Sequence, residues 1–226
     1  MVSGRDNDLD KEYSLVVGKL WNSFHEKEHV KPIFQQTLDN YSLEYIDLYL
    51  IHFPMATPKK EFNLVKAPLQ DTWRELEDLV DAGLIRNIGI SNFNVQSTLD
   101  LLTYARIPPS VLEIEHHPYL QQRRLVNWAQ LQDIKTFGKL DEASSNCKHC
   151  YKTQVNVGQV LLAWAVNYDV IVIPKTVKIE RMKTNLDIHN IKLDDQDLKS
   201  IPKLEANARF NDFFENTYGF DFPVFA

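Results

Sequence analysis

The stretch IDLYLIH (Ile46–His52) decides the fold. Apart from Asp47 its side chains are apolar on both faces of an extended strand, and it stops on a titratable residue. A strand buried on both sides belongs to a parallel sheet rather than to a half-solvated antiparallel one. The same figure recurs in LVVGK (Leu15–Lys19), IRNIGISN (Ile85–Asn92), VLEIEHH (Val111–His117) and VIVIPK (Val170–Lys175). Helix-like stretches separate the five runs, which predicts parallel strands joined by crossover helices. Function in such sheets gathers at the carboxyl ends of the strands, where Lys19, His52, Ser91–Asn92, His116–His117 and Lys175 stand. The expected class is α/β, a (β/α)₈ TIM-barrel type with five clear parallel strands, in a single domain over 1–226.

Spacing shows what that barrel lacks. The interval from His116 to Lys175 is about twice a single βα unit, yet LQDIKTFGKLDEASSNCKHCY (Leu131–Tyr151) contains no apolar run of four. The expectation is that one strand, the seventh of a complete barrel, is lost there. Ahead of the first run, Met1–Ser14 is charged and unlike a strand, so the chain is expected to be incomplete at its amino end.

Composition excludes several classes. The chain has 226 residues and a net charge of −6 spread over mixed segments, with no basic stripe for nucleic acid. No apolar run approaches membrane-spanning length and no signal peptide is visible, so a cytoplasmic protein with no membrane partner is expected. Two cysteines make no disulfide framework, and 7 glycines include no GxGxxG after any strand. Pro32 suits the first turn of a helix beginning near Val30. Leu69–Ala82 has helical apolar spacing with Gly83 at its carboxyl cap. Further helices are expected over Val155–Val166 and Asp194–Leu204, and the aromatic Phe210–Ala226 as a tail across a surface.

Two motifs invite a metal reading. HEKEH (His25–His29) satisfies the HExxH pattern, but a helix starting near Val30 would leave it in a loop and deny it one shared helical face. Cys147 and Cys150 form a CxxC with no second pair. No metal site is expected.

The strand-end strings resemble the aldo-keto reductases, most closely the yeast xylose reductases. They are GKLWN (Gly18–Asn22), DLYLIHFP (Asp47–Pro54), GISNF (Gly89–Phe93), EIEHHPYLQQ (Glu113–Gln122), VIPKT (Val172–Thr176) with Glu180–Arg181, and RFND (Arg209–Asp212), in family order. The resemblance implies a (β/α)₈ barrel that reduces aldehydes or aldoses such as xylose with NADPH, leaving NADH open. His52 resembles the histidine that orients the carbonyl, Lys19 the lysine that lowers the pKa of a tyrosine acid, and Trp21 a wall of the substrate pocket. Ser91 and Asn92 resemble the pair holding the nicotinamide carboxamide, and Glu113 occupies the position of the family's glutamine beneath that ring. Lys175, Thr176 and Arg181 resemble the clamp on the 2′-phosphate, with Asn185 reaching the adenine. Three cations, Lys175, Lys178 and Arg181, suit such a phosphate. Asn211 is a candidate substrate contact, and His116–His117 is expected to be architectural.

The family's tyrosine acid and its aspartate belong to the second βα unit, which has no counterpart in this sequence. Tyr13 precedes the first strand and would lie at the opposite face, about 20 Å away. Competent turnover by this chain alone is therefore not expected, and a catalytically silent module binding a nucleotide or protein stands as the alternative. Exposed sheet edges would favour self-association. Phe137 in KTFGK is read as a remnant of the lost strand rather than as a stacking residue.

Overall fold

A computed structural model describes residues 15–57, 65–139 and 155–211. Contacts within the chain gather in two units, Met1–Leu112 and Glu113–Ala226, which are taken in turn.

The first unit alternates β1 (Val17–Leu20), α1 (Lys27–Tyr41), β2 (Ile46–Ile51), α2 (Leu69–Asp81), β3 (Ile85–Ser91) and α3 (Val95–Tyr104). It also holds the start of β4 (Val111–Glu115). β1, β2 and β3 pair in parallel in chain order, with Lys19 opposite Leu50 and Ile51 opposite Ile90. Every residue of β2 is buried. Val30, Phe34 and Leu38 recur at four-residue spacing and turn one face of α1 inward, where the Phe34 ring meets Tyr49 edge-on at 5.1 Å. Trp73 of α2 is fully buried, and its indole N–H donates to the Ile107 carbonyl at 3.1 Å. α2 ends as its sequence predicts. Gly83 takes φ 73°, donating to Val80, while Leu84 donates back to Leu79, a Schellman motif.

The second unit carries the end of β4, then α4 (Arg123–Leu131), β5 (Lys135–Lys139), α5 (Val157–Asn167), β6 (Val170–Val172), α6 (Ile179–Leu186) and the short α7 (Asp195–Ser200). β5 and β6 pair in parallel, Thr136 opposite Val170 and Gly138 opposite Val172. The His116 N–H donates to the Lys139 carbonyl at 3.2 Å and ties the end of β4 to that of β5. Asn156 and Asp194 cap α5 and α7 through reciprocal capping boxes.

Three expectations are corrected here. The strand thought lost between Leu131 and Tyr151 is present: KTFGK is β5, so the described residues hold six strands rather than five. Lysines close both its ends while Thr136, Phe137 and Gly138 are buried, a short strand that a search for four apolar residues passes over. α1 starts at Lys27 rather than near Val30, which places Pro32 inside the helix. The proline deletes only the bond to Glu28, whose carbonyl lies in the exposed first turn. VIVIPK is strand only to Val172, so Lys175 stands in the loop beyond it. Residues 1–14, including Tyr13, the Cys147–Cys150 pair and the tail beyond Asn211 lie outside the described residues.

Gly89 marks a point where the first unit leaves no room for a side chain. A Cβ there would sit 2.7 Å from the Val111 carbonyl oxygen and 2.7 Å from a Leu50 methyl. A backbone oxygen cannot move aside as a side chain can. Gly89→Ala is therefore expected to lower unfolding free energy by about 1–3 kcal/mol in urea titrations, whereas an unchanged midpoint would show that β3 and β4 have slack.

Candidate active site

In the first unit, parallel pairing brings the carboxyl ends of β1, β2 and β3 to one edge. Lys19 is the penultimate residue of β1, Trp21 follows that strand, His52 follows β2, and Ser91 ends β3. The loops are tied to one another. The His52 N–H donates to Leu20 at 3.0 Å, and the Thr57 N–H donates to Asn22 at 3.1 Å. The Trp21 ring meets His52 edge-on at 5.0 Å and Phe53 at 6.2 Å, while His52 and Phe53 stack at 5.0 Å. The imidazole is thus held between two aromatic neighbours and remains half-buried.

Asn92 adopts a left-handed φ of 60°. Its amide donates to the His52 carbonyl at 2.9 Å and to the Ser91 hydroxyl at 3.1 Å, so the ends of β2 and β3 are locked by one side chain. The next turn is fixed just as firmly. The Asn94 side chain accepts from Ser97 N–H at 2.8 Å, and the Ser97 hydroxyl accepts from Asn94 N–H at 3.1 Å, starting α3 directly after the buried Phe93. Lys19, Trp21, His52, Ser91 and Asn92 are therefore brought together within this unit.

In the second unit, Lys175 and Thr176 lie in the loop after β6, Lys178 caps α6, and Arg181 and Asn185 lie on that helix. The Thr176 hydroxyl accepts from the Lys178 N–H at 3.2 Å, which shapes the entry to α6. Lys175, Lys178 and Arg181 are exposed. Cations around a helix amino terminus suit a phosphate. Thr176 and Asn185 also line a cavity of about 570 Å³ walled by Val170, Val172, Met182 and Ile188. Glu113 is buried on β4.

The sequence reading missed the network around Glu115, the last residue of β4. This buried carboxylate accepts from His117 Nε2 at 2.8 Å, from Phe210 N–H at 2.7 Å and from Asn211 N–H at 3.1 Å, and Arg209 lies 3.6 Å away. Burial pushes the Glu115 carboxyl up, but the His117 and backbone donors outweigh it and leave it below the usual range. Asn211 accepts at its side-chain oxygen from Lys139 at 3.3 Å. His116 takes no part in this network: it is buried and stacked on Trp164 at 4.8 Å, and Gly138 leaves room for it. The HEKEH motif gathers no metal set. His25 is buried in front of α1, His29 pairs with Glu26 at 3.3 Å, and no cluster that could hold a metal ion occurs among the described residues.

Comparison with known proteins agrees with this arrangement. Residues 6–139 match the Aldo/keto reductase family. The chain is 44% identical over 253 residues to 4-dihydromethyl-trisporate dehydrogenase of Mucor mucedo, covering 96% of this chain and 78% of that protein. It is 37% identical over 268 residues to a probable NAD(P)H-dependent D-xylose reductase of Aspergillus clavatus, covering 98% and 81%. Among solved structures, the aldose reductase of Schistosoma japonicum superposes with a TM-score of 0.86 at 30% identity, covering 92% of this chain and 74% of that one. The aldose reductase of Giardia lamblia gives 0.87 at 28% identity, covering 96% and 80%. The chain belongs to the aldo/keto reductase family, and its fold is the parallel-stranded α/β fold of TIM-barrel type. No described helix is long and apolar enough to cross a membrane.

Two buried histidines near these strand ends make stability depend on acid. Burial lowers His25 to about 4 and His116 to about 4; the Gln121 backbone pulls His116 the other way without reaching hydrogen-bond geometry. In the unfolded chain both titrate near 6.5. Between pH 6.5 and 4 the unfolded state therefore binds protons that the folded state does not, and stability falls as pH falls. Each histidine is expected to remove about 3 kcal/mol across that window. Urea melts at pH 7 and pH 4.5 measure the loss, and His116→Phe should show a visibly shallower dependence; an identical slope would clear His116 of the effect.

Proposed function

We propose, on the premise of family membership, that this chain binds NADPH and reduces an aldehyde or aldose-type carbonyl, with xylose-like sugars as the substrate class. The observation that carries this reading is the joining of Lys19, Trp21, His52, Ser91 and Asn92 at adjacent strand ends, with His52 fixed edge-on to Trp21. NADPH, when bound, supplies the hydride.

The donor set fits that cofactor chemically. The Ser91 hydroxyl and the Asn92 amide suit a carboxamide, and Asn92 is already held by the His52 carbonyl. Lys175, Thr176 and Arg181, beside the amino end of α6, suit a 2′-phosphate, and Asn185 a purine edge. Phe137 of β5 offers an aromatic ring on a strand that the sequence reading had discounted. His52 donates a hydrogen bond to the substrate carbonyl oxygen, and Lys19 supplies positive charge as that oxygen gains electrons. Trp21, in the first unit, is the proposed aromatic wall for the substrate; in the second unit, Asn211 is the proposed polar substrate contact.

A second reading has its own observation. Of the described tyrosines in the first unit, Tyr41 and Tyr45 precede β2, Tyr49 faces Phe34, and Tyr104 ends α3, where burial pushes it up to about 12. None stands beside His52 as a proton donor. Loss of general acid catalysis is typically worth about 10²–10⁴-fold in rate, so binding without useful turnover is the alternative outcome.

The deciding experiment measures NADPH binding by fluorescence and NADPH oxidation with D-xylose and short aldehydes. Binding with slow oxidation that falls at least tenfold in His52→Ala supports the reductase. Binding without oxidation supports the silent module, and absence of binding sinks both. A further expectation concerns Glu113. A carboxylate beneath the ring favours the positively charged oxidised cofactor, so Glu113→Gln should weaken NADP⁺ relative to NADPH by about tenfold. Equal changes in both affinities would place Glu113 away from the ring.

A further inference from the structure

We propose that Glu115 is a positioning residue for the carbonyl substrate: its carboxylate fixes where Arg209–Asn211 lies, and so sets substrate affinity without touching the cofactor. This rests on the reading of Asn211 as a substrate contact.

The segment after the short turn Ile201–Leu204 has no helix or strand of its own as far as Asn211. Nothing local dictates its path, so its course depends on the partners it finds. Those partners belong almost entirely to the stretch that follows β4. The Tyr119 carbonyl accepts from Ala206 at 3.1 Å and from Ala208 at 3.0 Å. The Gln121 N–H donates to Glu205 at 2.7 Å, and the Gln121 side chain donates to the Pro202 carbonyl at 2.9 Å. Phe210 stacks on His117 at 4.8 Å.

At the far end of this stitching, one carboxylate receives two successive backbone donors. Glu115 Oε1 takes the Phe210 N–H and Oε2 takes the Asn211 N–H, with His117 and Arg209 as further partners. Two successive N–H groups aimed at the two oxygens of one carboxylate fix the backbone direction at Asn211 as a single bond could not. Lys139 then orients the Asn211 side chain from the end of β5.

The geometry distinguishes Glu115 from every uncharged substitute. An amide keeps one acceptor oxygen but turns an NH₂ group towards one of the two backbone donors. An aspartate keeps the charge but is one methylene shorter.

The test uses the full chain and the variants Glu115→Gln, Glu115→Asp and Arg209→Met. Hydrogen exchange reads the Phe210 and Asn211 amides against the His116 amide, which donates elsewhere. The half-saturating concentration of glyceraldehyde is read from NADPH oxidation, or by ligand-observed NMR with NADP⁺ bound if there is no turnover. NADPH affinity is measured alongside. The expectation for Glu115→Gln is at least tenfold faster exchange at Phe210 and Asn211, at least fivefold weaker glyceraldehyde binding, and NADPH affinity within twofold. Glu115→Asp should recover part of both losses. Arg209→Met should move both in the same direction by less, and it carries the test if the Glu115 variants do not fold. Unchanged exchange would overturn the clamp. Faster exchange with unchanged glyceraldehyde binding, or an equal loss of NADPH, would overturn the positioning role and leave Glu115 merely structural. A wild-type chain that binds neither ligand overturns the proposed function and takes the positioning role with it. In that case exchange at Phe210 and Asn211 still shows separately whether the clamp exists.

Discussion

Parallel strand pairing is the constraint from which the rest follows. A parallel strand must be re-entered from the same end, so each crossover carries the chain back and every carboxyl end emerges at one edge. β1, β2 and β3 obey this in register, and residues far apart in sequence become neighbours without any pairwise attraction among them. Hydrogen bonds then refine what pairing has assembled. Asn92, in a left-handed conformation that few residues tolerate, donates across to the His52 carbonyl and converts proximity into fixed geometry.

Strands buried on both faces were legible because burial leaves mostly apolar residues in long runs, and β2, apolar apart from Asp47, is the clearest case. β5 was not legible because it is short, closed by lysines and interrupted by Gly138. That glycine is a consequence of packing rather than of decay: a Cβ there would meet Val170 at 2.8 Å and His116 at 3.3 Å. The start of α1 was misread for a related reason. A proline is best tolerated at the first helical position, but a solvent-facing carbonyl four residues earlier also tolerates it, and local sequence does not separate the two cases.

The candidate residues divide along the same line. In the first unit His52, Ser91 and Asn92, and in the second the cations near α6, lie at strand ends or just beyond them, so strings of neighbouring residues mark them as candidates. The backbone donors of the Glu115 network come from about ninety-five residues away in sequence. No local pattern in EIEHHPYL states that one of its carboxylates will receive the backbone of RFND. Such contacts are a product of the fold, and they emerge only when the second unit is seen in three dimensions.

A buried carboxylate is an expensive way to hold a segment unless its partners compensate fully. An isolated ionised group removed from water costs several kcal/mol, and Glu115 offsets this with a histidine, two backbone N–H groups and a nearby guanidinium. An apolar anchor would hold Phe210 by area alone and would leave two backbone N–H groups without acceptors, each costing about 1–3 kcal/mol if buried. Apolar contact is also non-directional, so it would allow the segment to slide. The carboxylate allows one register only, because each oxygen is matched to a particular amide. For a segment with no secondary structure of its own, that directional match substitutes for the order that β1–β3 obtain from pairing.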